Sequence, residues 1–378
     1  MRSLDIAREA CEQYHPGLLK AIGEHPLSEL EKPGSPALRL FREHDGGGLL
    51  VPRDFAGAGA DALTAVRVNR ALAAASPSLA AAVTMHHFTV GMLFSLAGSA
   101  DRLTTAQLAM LHRVAPERLL MASGWAEGRS NQNILVPSLT AQPAPGGFTV
   151  DGVKRPCSLA YSMDLLTASV AVPVAGVPAL AVLMIPAQTP GISVHPFWNN
   201  PVLAGAESEE IRLTGVHVPD ELVIRTAPDD PARLDDLQAA GFVWFEMLIS
   251  SVYLGAAAAL VERVLAGGRG SGSDRAALGI DLEAAVGLIE GTARAVDAGA
   301  AGDDIVAGVL VARYATQDLL MRAAGQAMEL LGGIAYIKDP DVAYLASAVR
   351  PLAFHPPSRS SAATALVDYF DSGALHLS

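Results

Sequence analysis

Two long stretches of three- and four-residue apolar spacing enclose a shorter one in which the spacing changes to alternation, and that order restricts the chain to a mixed α+β architecture. From residue 1 to about 120, Ala, Leu and Arg recur at helical intervals, as in Leu63-Thr64-Ala65-Val66-Arg67-Val68-Asn69-Arg70-Ala71-Leu72. Between about 121 and 230 the texture is β-branched and broken by Gly and Pro. There Gly147-Phe148-Thr149-Val150-Asp151-Gly152 reads as a strand entering a turn, Leu180 to Pro186 as a buried strand, and Glu210-Ile211-Arg212-Leu213 as a strand with one polar face. From about 231 to 378 helical spacing returns. The expectation is a helical N-terminal domain over 1–120, a middle β domain over 121–230 and a helical C-terminal domain over 231–378.

Punctuation supports these divisions. Pro52 and the small residues Gly57, Ala58 and Gly59 force a loop after Val51. Ser76-Pro77 offers a serine N-cap followed by proline at the first helical position. Ala227-Pro228-Asp229-Asp230-Pro231 reads as a surface linker, and Gly267 to Ser273 as a short Gly/Ser loop between two helices.

Composition narrows the function classes. At 378 residues and 39.2 kDa the chain exceeds one ordinary core. With 51% hydrophobic and 17% charged residues and a mean hydropathy of +0.31, much buried helix and a subunit interface are expected. Apolar runs such as Leu165 to Val182 and Leu248 to Leu260 are interrupted before the ~20 residues a span requires, so no membrane insertion is expected. Acidic residues near Met1 leave no apolar core for a secretory signal. Cys11 and Cys157 are far apart and lack metal-ligand spacing, which points to neither a disulfide framework nor a metal site and fits a cytoplasmic setting. A formal charge of −12 and a pI near 5.3 argue against nucleic-acid binding.

The three-part layout resembles that of the acyl-CoA dehydrogenase family, and the likeness runs over nearly the whole chain. Val51-Pro52-Arg53-Asp54-Phe55-Ala56-Gly57-Ala58-Gly59 is similar to the family's Pro-Glu-x-x-Gly-Gly-x-Gly turn. Gly152-Val153-Lys154-Arg155-Pro156-Cys157-Ser158 lies where the family has Gly-x-Lys-x-Trp-Ile-Thr, and Val216-His217-Val218-Pro219 matches its Val-x-Val-Pro exit from the sheet. Ala126-Glu127-Gly128-Arg129-Ser130-Asn131 resembles its Glu-Pro-Gly-x-Gly-Ser-Asp loop, Arg275-Ala276-Ala277-Leu278-Gly279 its Arg-x-x-Phe-Gly, and Leu331-Gly332-Gly333 its flavin-clasping segment.

The resemblance implies a middle β-barrel or sheet domain, a C-terminal four-helix bundle and bound FAD. It places the Ser158 hydroxyl near flavin N5, Ser130 or Asn131 near the pyrimidine ring or the substrate, and Arg275 on the pyrophosphate across a subunit interface, where a guanidinium fork suits a diphosphate. Gly332 and Gly333 would let the backbone approach the adenosine end. Pro156 stands where the family has a tryptophan, and Glu329 where it more often has glutamine. A homodimer or homotetramer follows, because the family's flavin site is shared between subunits.

Counting forward from Gly332-Gly333 without a gap puts Pro356, in Phe354-His355-Pro356-Pro357-Ser358, where the family usually carries its catalytic glutamate. Proline cannot accept a proton. Two residues are candidates to replace the base. His355 is adjacent and ordinarily titrates near ~6.5. Glu246 lies one helical turn from Ile249, which matches the alternative glutamate position some members use, among Phe242, Trp244, Phe245, Met247 and Leu248. Structural roles compete: a histidine under a Pro-Pro turn, and a surface or interface glutamate. For His86-His87, whose side chains point to different helix faces, for Trp125 and Trp198 and for Arg359 and Cys157, packing or surface roles are the expected ones, against lining a pocket for the histidines, stacking on a flavin or an acyl group for the tryptophans and an anion contact for Arg359.

Three functions fit these residues. The first is a FAD-dependent oxidoreductase acting on an acyl-CoA or acyl-carrier-protein thioester with a non-standard base. The second is a flavin monooxygenase on the same fold, which needs no base at 356. The third is a non-enzymatic scaffold or hetero-oligomer partner, toward which Pro156, Glu329 and Pro356 lean.

Overall fold

The computed structural model describes residues 1–97, 102–128, 137–174, 177–226 and 234–377. Seven helices come first: α1 (Arg2–Tyr14), α2 (Leu18–Gly23), α3 (Leu27–Leu30), α4 (Ala37–Glu43), α5 (Ala62–Ala75), α6 (Pro77–Ala97) and α7 (Thr105–Val114). Eight strands follow among the described residues: β1 (Met121–Gly124), β2 (Ala141–Ala144), β3 (Gly147–Cys157), β4 (Leu165–Val174), β5 (Val177–Pro186), β6 (Ile192–His195), β7 (Glu209–Pro219) and β8 (Val223–Arg225). The chain closes with α8 (Asp236–Ala266), α9 (Gly272–Asp297), α10 (Asp303–Lys338), α11 (Pro340–Ala348), a 3-10 turn (Arg350–Phe354) and α12 (Arg359–Phe370).

The helix starts are written locally. Ser76 Oγ accepts the Leu79 N–H at 3.2 Å with Pro77 at the first turn of α6. Asp235 with Gln238, and Ser271 with Asp274, form capping boxes at the heads of α8 and α9. The linker residues 227–231 lie outside the described residues.

The strands form two four-stranded sheets, ordered β1-β4-β5-β8 and β2-β3-β7-β6. One strand runs further than its sequence pattern implies. Gly152 does not end β3; the register on β7 shifts between Val150 and Gly152, pairing resumes from Gly152 to Lys154, and a second shift precedes Cys157. A bulge absorbs the extra residue, so a glycine that reads as a turn marks a bend within the strand.

The long helix α8 is the axis of the core, with α5, α6, α9 and α10 all packed on it. Although α6 and α8 are long and apolar enough to cross a membrane, most of their surface is buried within the fold. Contact between α5 and α8 depends on Gly255, where a Cβ would lie 2.4 Å from the Arg70 carbonyl oxygen and 2.6 Å from Ala73 Cβ. Gly255→Ala is therefore expected to destabilise the protein by about 1–3 kcal/mol through overpacking. Gly287→Ala, in α9 where nothing lies within 4 Å of a Cβ, is expected to stabilise it by about 0.5–1 kcal/mol through helix propensity. Denaturant midpoints of the two variants check both signs.

Candidate active site

At the junction of α8, α10 and the C-terminal turn, one arginine organises the polar groups. Arg313, on α10, is 1% exposed. A guanidinium in such a place needs a counter-ion and acceptors for its remaining N–H groups. Its Nη1 donates to both oxygens of Glu246, at 2.9 and 2.8 Å, and its Nη2 donates to the carbonyl oxygens of Leu352 (3.2 Å) and His355. Glu246 is fully buried. Burial pushes its carboxyl up, to about 7, against the pull of the Arg313 charge.

The same turn is held at further points. Tyr253 Oη and His355 Nε2 share a hydrogen bond of 2.6 Å, and Tyr314 Oη donates to the carbonyls of Pro357 (2.9 Å) and Ser358 (3.2 Å). The His355 ring also meets the Phe245 ring at 5.6 Å, and Phe245 meets Phe88 at 5.4 Å. Burial, with the nearby Arg313 charge, holds the His355 imidazole well below its usual range, so it is neutral at physiological pH. Its phenol partner Tyr253 is pushed up by burial and stays protonated. The turn is thus lined by a neutral imidazole and a phenol, while the nearby carboxylate has both oxygens engaged.

On the sheet side, Ser158 follows the end of β3 and its Oγ lies 2.9 Å from Ser208 Oγ. Beneath it is a buried ion pair, Lys154 Nζ to Glu127 Oε1 at 2.9 Å, with Lys154 also donating to Ser169 Oγ at 3.1 Å. Glu127 further accepts from the Ser138 N–H at 3.1 Å and the Leu139 N–H at 3.2 Å. Ser130 and Asn131 lie outside the described residues. Cys157 is buried and its thiol pushed up to about 12 by desolvation, which makes it inert. Trp198 is satisfied by the Val202 carbonyl at 3.0 Å, and Arg359 pairs with Asp318 at 2.8 Å.

A third group forms at one end of the helical layer. Arg275, in the first turn of α9, donates to the carbonyls of Gly268 (3.2 Å) and Gly270 (2.8 Å). A Cβ at Gly270 would meet Leu330 of α10 at 2.8 Å, which sets the Arg275 turn beside the Leu331-Gly332-Gly333 step. Gly332 adopts φ +79° and breaks α10 there, a conformation that favours glycine. Beyond the break, Ile334, Tyr336 and Ile337 are exposed.

The structure therefore joins Glu246 with His355, through Arg313, and Arg275 with Gly332 and Gly333; Ser158 stands apart on the sheet. Arg313 and Tyr253 are not singled out by the sequence reading. The signal for Arg313 was available: a lone arginine in the apolar run Ile305 to Ala312 and Leu319-Leu320 must find a buried carboxylate.

No protein-family model matches the chain. The isobutylamine N-hydroxylase of Streptomyces viridifaciens is 60% identical over 378 residues, covering 100% of both chains. The X-ray structure of KijD3 in complex with FMN and a dTDP-linked amino-keto sugar superposes with a TM-score of 0.84 at 19% identity, over 98% of this chain and 94% of that one. The FAD complex of PigA superposes with a TM-score of 0.80 at 16% identity, over 98% and 97% of the respective chains. These likenesses establish the fold as α+β of the acyl-CoA dehydrogenase-like kind, with helical N- and C-terminal regions around central sheets.

Proposed function

The chain belongs to the isobutylamine N-hydroxylase family, and from that premise we propose that it is a flavin-dependent monooxygenase acting on the nitrogen of a small aliphatic primary amine. One observation carries the choice over a dehydrogenase. Where a dehydrogenase would place its base stands Pro356, and the candidate carboxylate, Glu246, has both oxygens on Arg313. Of the two candidate bases for the acyl-thioester reading, Glu246 is engaged by Arg313 and His355 is weakly basic.

The residues present fit a flavin. Ser158 is partly exposed, the Trp125 indole N–H is buried without an acceptor, and a Cβ built on Gly332 or Gly333 would meet nothing within 4 Å. Arg275 suits a diphosphate, which favours FAD. The exposed Ile334, Tyr336 and Ile337 beside that cluster support a homodimer or homotetramer. Reduced flavin, when bound, would supply two electrons and two protons and the amine nitrogen two electrons, so that one atom of O2 forms the N–O bond of the hydroxylamine and the other leaves as water.

The side chains around the turn account for the substrate's form. To react, the nitrogen must present a lone pair, so the amine is taken as the free base. An ammonium would meet the Arg313 charge, a carboxylate already neutralised by it and a neutral His355. Tyr253 fixes the His355 ring by their mutual hydrogen bond, and Glu246 is a positioning residue acting through Arg313. The test is turnover of isobutylamine with enzymatically reduced FAD or FMN in air, with the hydroxylamine as the measured product. Absence of hydroxylamine together with anaerobic bleaching of bound flavin by an acyl-CoA would reverse the assignment.

A further inference from the structure

Trp125 follows the last residue of β1 and is drawn against β3: the Arg155 N–H donates to the Ala126 carbonyl at 2.8 Å, and Glu127 bridges Arg155 in parallel. Residues 125–127 therefore run beside Lys154 and Arg155, a few positions before Ser158. The segment is fixed from below, because Glu127 accepts from Lys154, Ser138 and Leu139 at once. Of the chain's three tryptophans, Trp198 gives its indole N–H to a carbonyl and Trp244 rests on Gly91. Trp125 Nε1 is buried with no acceptor. An indole N–H is a donor only, and a buried donor left unpaired is costly enough that a native site normally satisfies it.

We propose that the Trp125 indole N–H donates to a pyrimidine carbonyl oxygen of the bound flavin, and that the Glu127–Lys154 pair holds it in place. The assignment rests on the flavin reading above and adds to it a side chain that the sequence resemblance gives no role. Flavin is an acceptor-rich ligand on its pyrimidine edge, and the parallel Glu127–Arg155 bridge sets Trp125 beside the stretch of β3 that leads to Ser158.

The experiment is titration of the full-length protein with oxidised FAD and FMN, followed by intrinsic fluorescence and by the indole N–H resonances of 15N-tryptophan-labelled protein. One of the three indole resonances is expected to move downfield on flavin addition and to be the one missing from Trp125→Phe. That variant is expected to bind flavin about tenfold more weakly, the ratio one hydrogen bond supplies. The wild-type resonance shift stands even if the variant folds poorly. Flavin binding that leaves the Trp125 resonance unmoved and the Trp125→Phe affinity unchanged would overturn this assignment alone. No flavin binding by the wild type would instead defeat the flavin reading, and this assignment with it.

Discussion

Replacing Glu246 with alanine is expected to cost about 3–5 kcal/mol of folding stability, because it leaves a buried guanidinium without its counter-ion. Arg313 is 1% exposed and Glu246 fully buried, so water cannot solvate the survivor. Arg313→Ala should do comparable damage from the other side, since it strands the carboxylate and frees the carbonyls of Leu352 and His355. The double variant Glu246→Leu/Arg313→Met separates stability from function. With no buried charge left it is expected to recover most of the lost stability, yet to turn over amine poorly, because the turn that presents His355 loses its two bonds to Arg313. Chemical denaturation of the three variants beside amine turnover checks this. A double variant as active as the wild type would show that the turn needs no arginine.

Acid should expose a second cost. His86 is fully buried; its Nε2 donates to the Gly47 carbonyl at 2.8 Å and its Nδ1 accepts the Met121 N–H at 3.1 Å. That pairing requires a neutral ring, since a second proton on Nδ1 would face another donor. Burial depresses its pKa from 6.5 to about 4. The unfolded chain takes up the proton first, so the contribution of His86 is complete above pH 6.5 and declines as pH falls toward 4. By pH 4 the loss approaches about 3 kcal/mol. His87, beside it and lowered well below its usual range by the same burial, adds to the decline. A His86→Gln variant, which can keep one donor and one acceptor but does not titrate, isolates the effect. The stability gap between wild type and variant should shrink by that amount between pH 6.5 and 4 and stay constant above it. A gap independent of pH would contradict the neutral-ring assignment.

How much of this was legible in the chain depends on whether the determinant was local. Ser76-Pro77 starts α6 because a cap is decided within four residues. The order of helices, sheets and helices followed from periodicity alone. The course of β3 past Gly152 did not, since a bulge depends on its partner strand β7 and not on the glycine. His86 and His87 are expected on different helix faces, yet both rings reach one turn, at Gly47 and Gly46 some forty residues upstream, with their centroids 5.5 Å apart.

The site was half legible for the same reason. His355, Glu246, Arg275 and the Gly332-Gly333 break stood out by motif or by the residue missing beside them. What joins His355 to Glu246 is Arg313, which belongs to no motif and acquires its role only when α10 lies against α8 and the C-terminal turn. Nor could Pro356 by itself choose between a displaced base and a reaction without one. The engagement of both Glu246 oxygens and the full-length likeness to an amine N-hydroxylase favour the monooxygenase over the acyl-thioester dehydrogenase.

The most direct measurement is a turnover of isobutylamine with reduced flavin under 18O2, with the product analysed by mass spectrometry. Direct oxygen transfer to nitrogen requires that the hydroxylamine carry one heavy oxygen and that none come from water. A hydroxylamine with its oxygen from water, or an amine returned unchanged while the reduced flavin is consumed, would contradict the account.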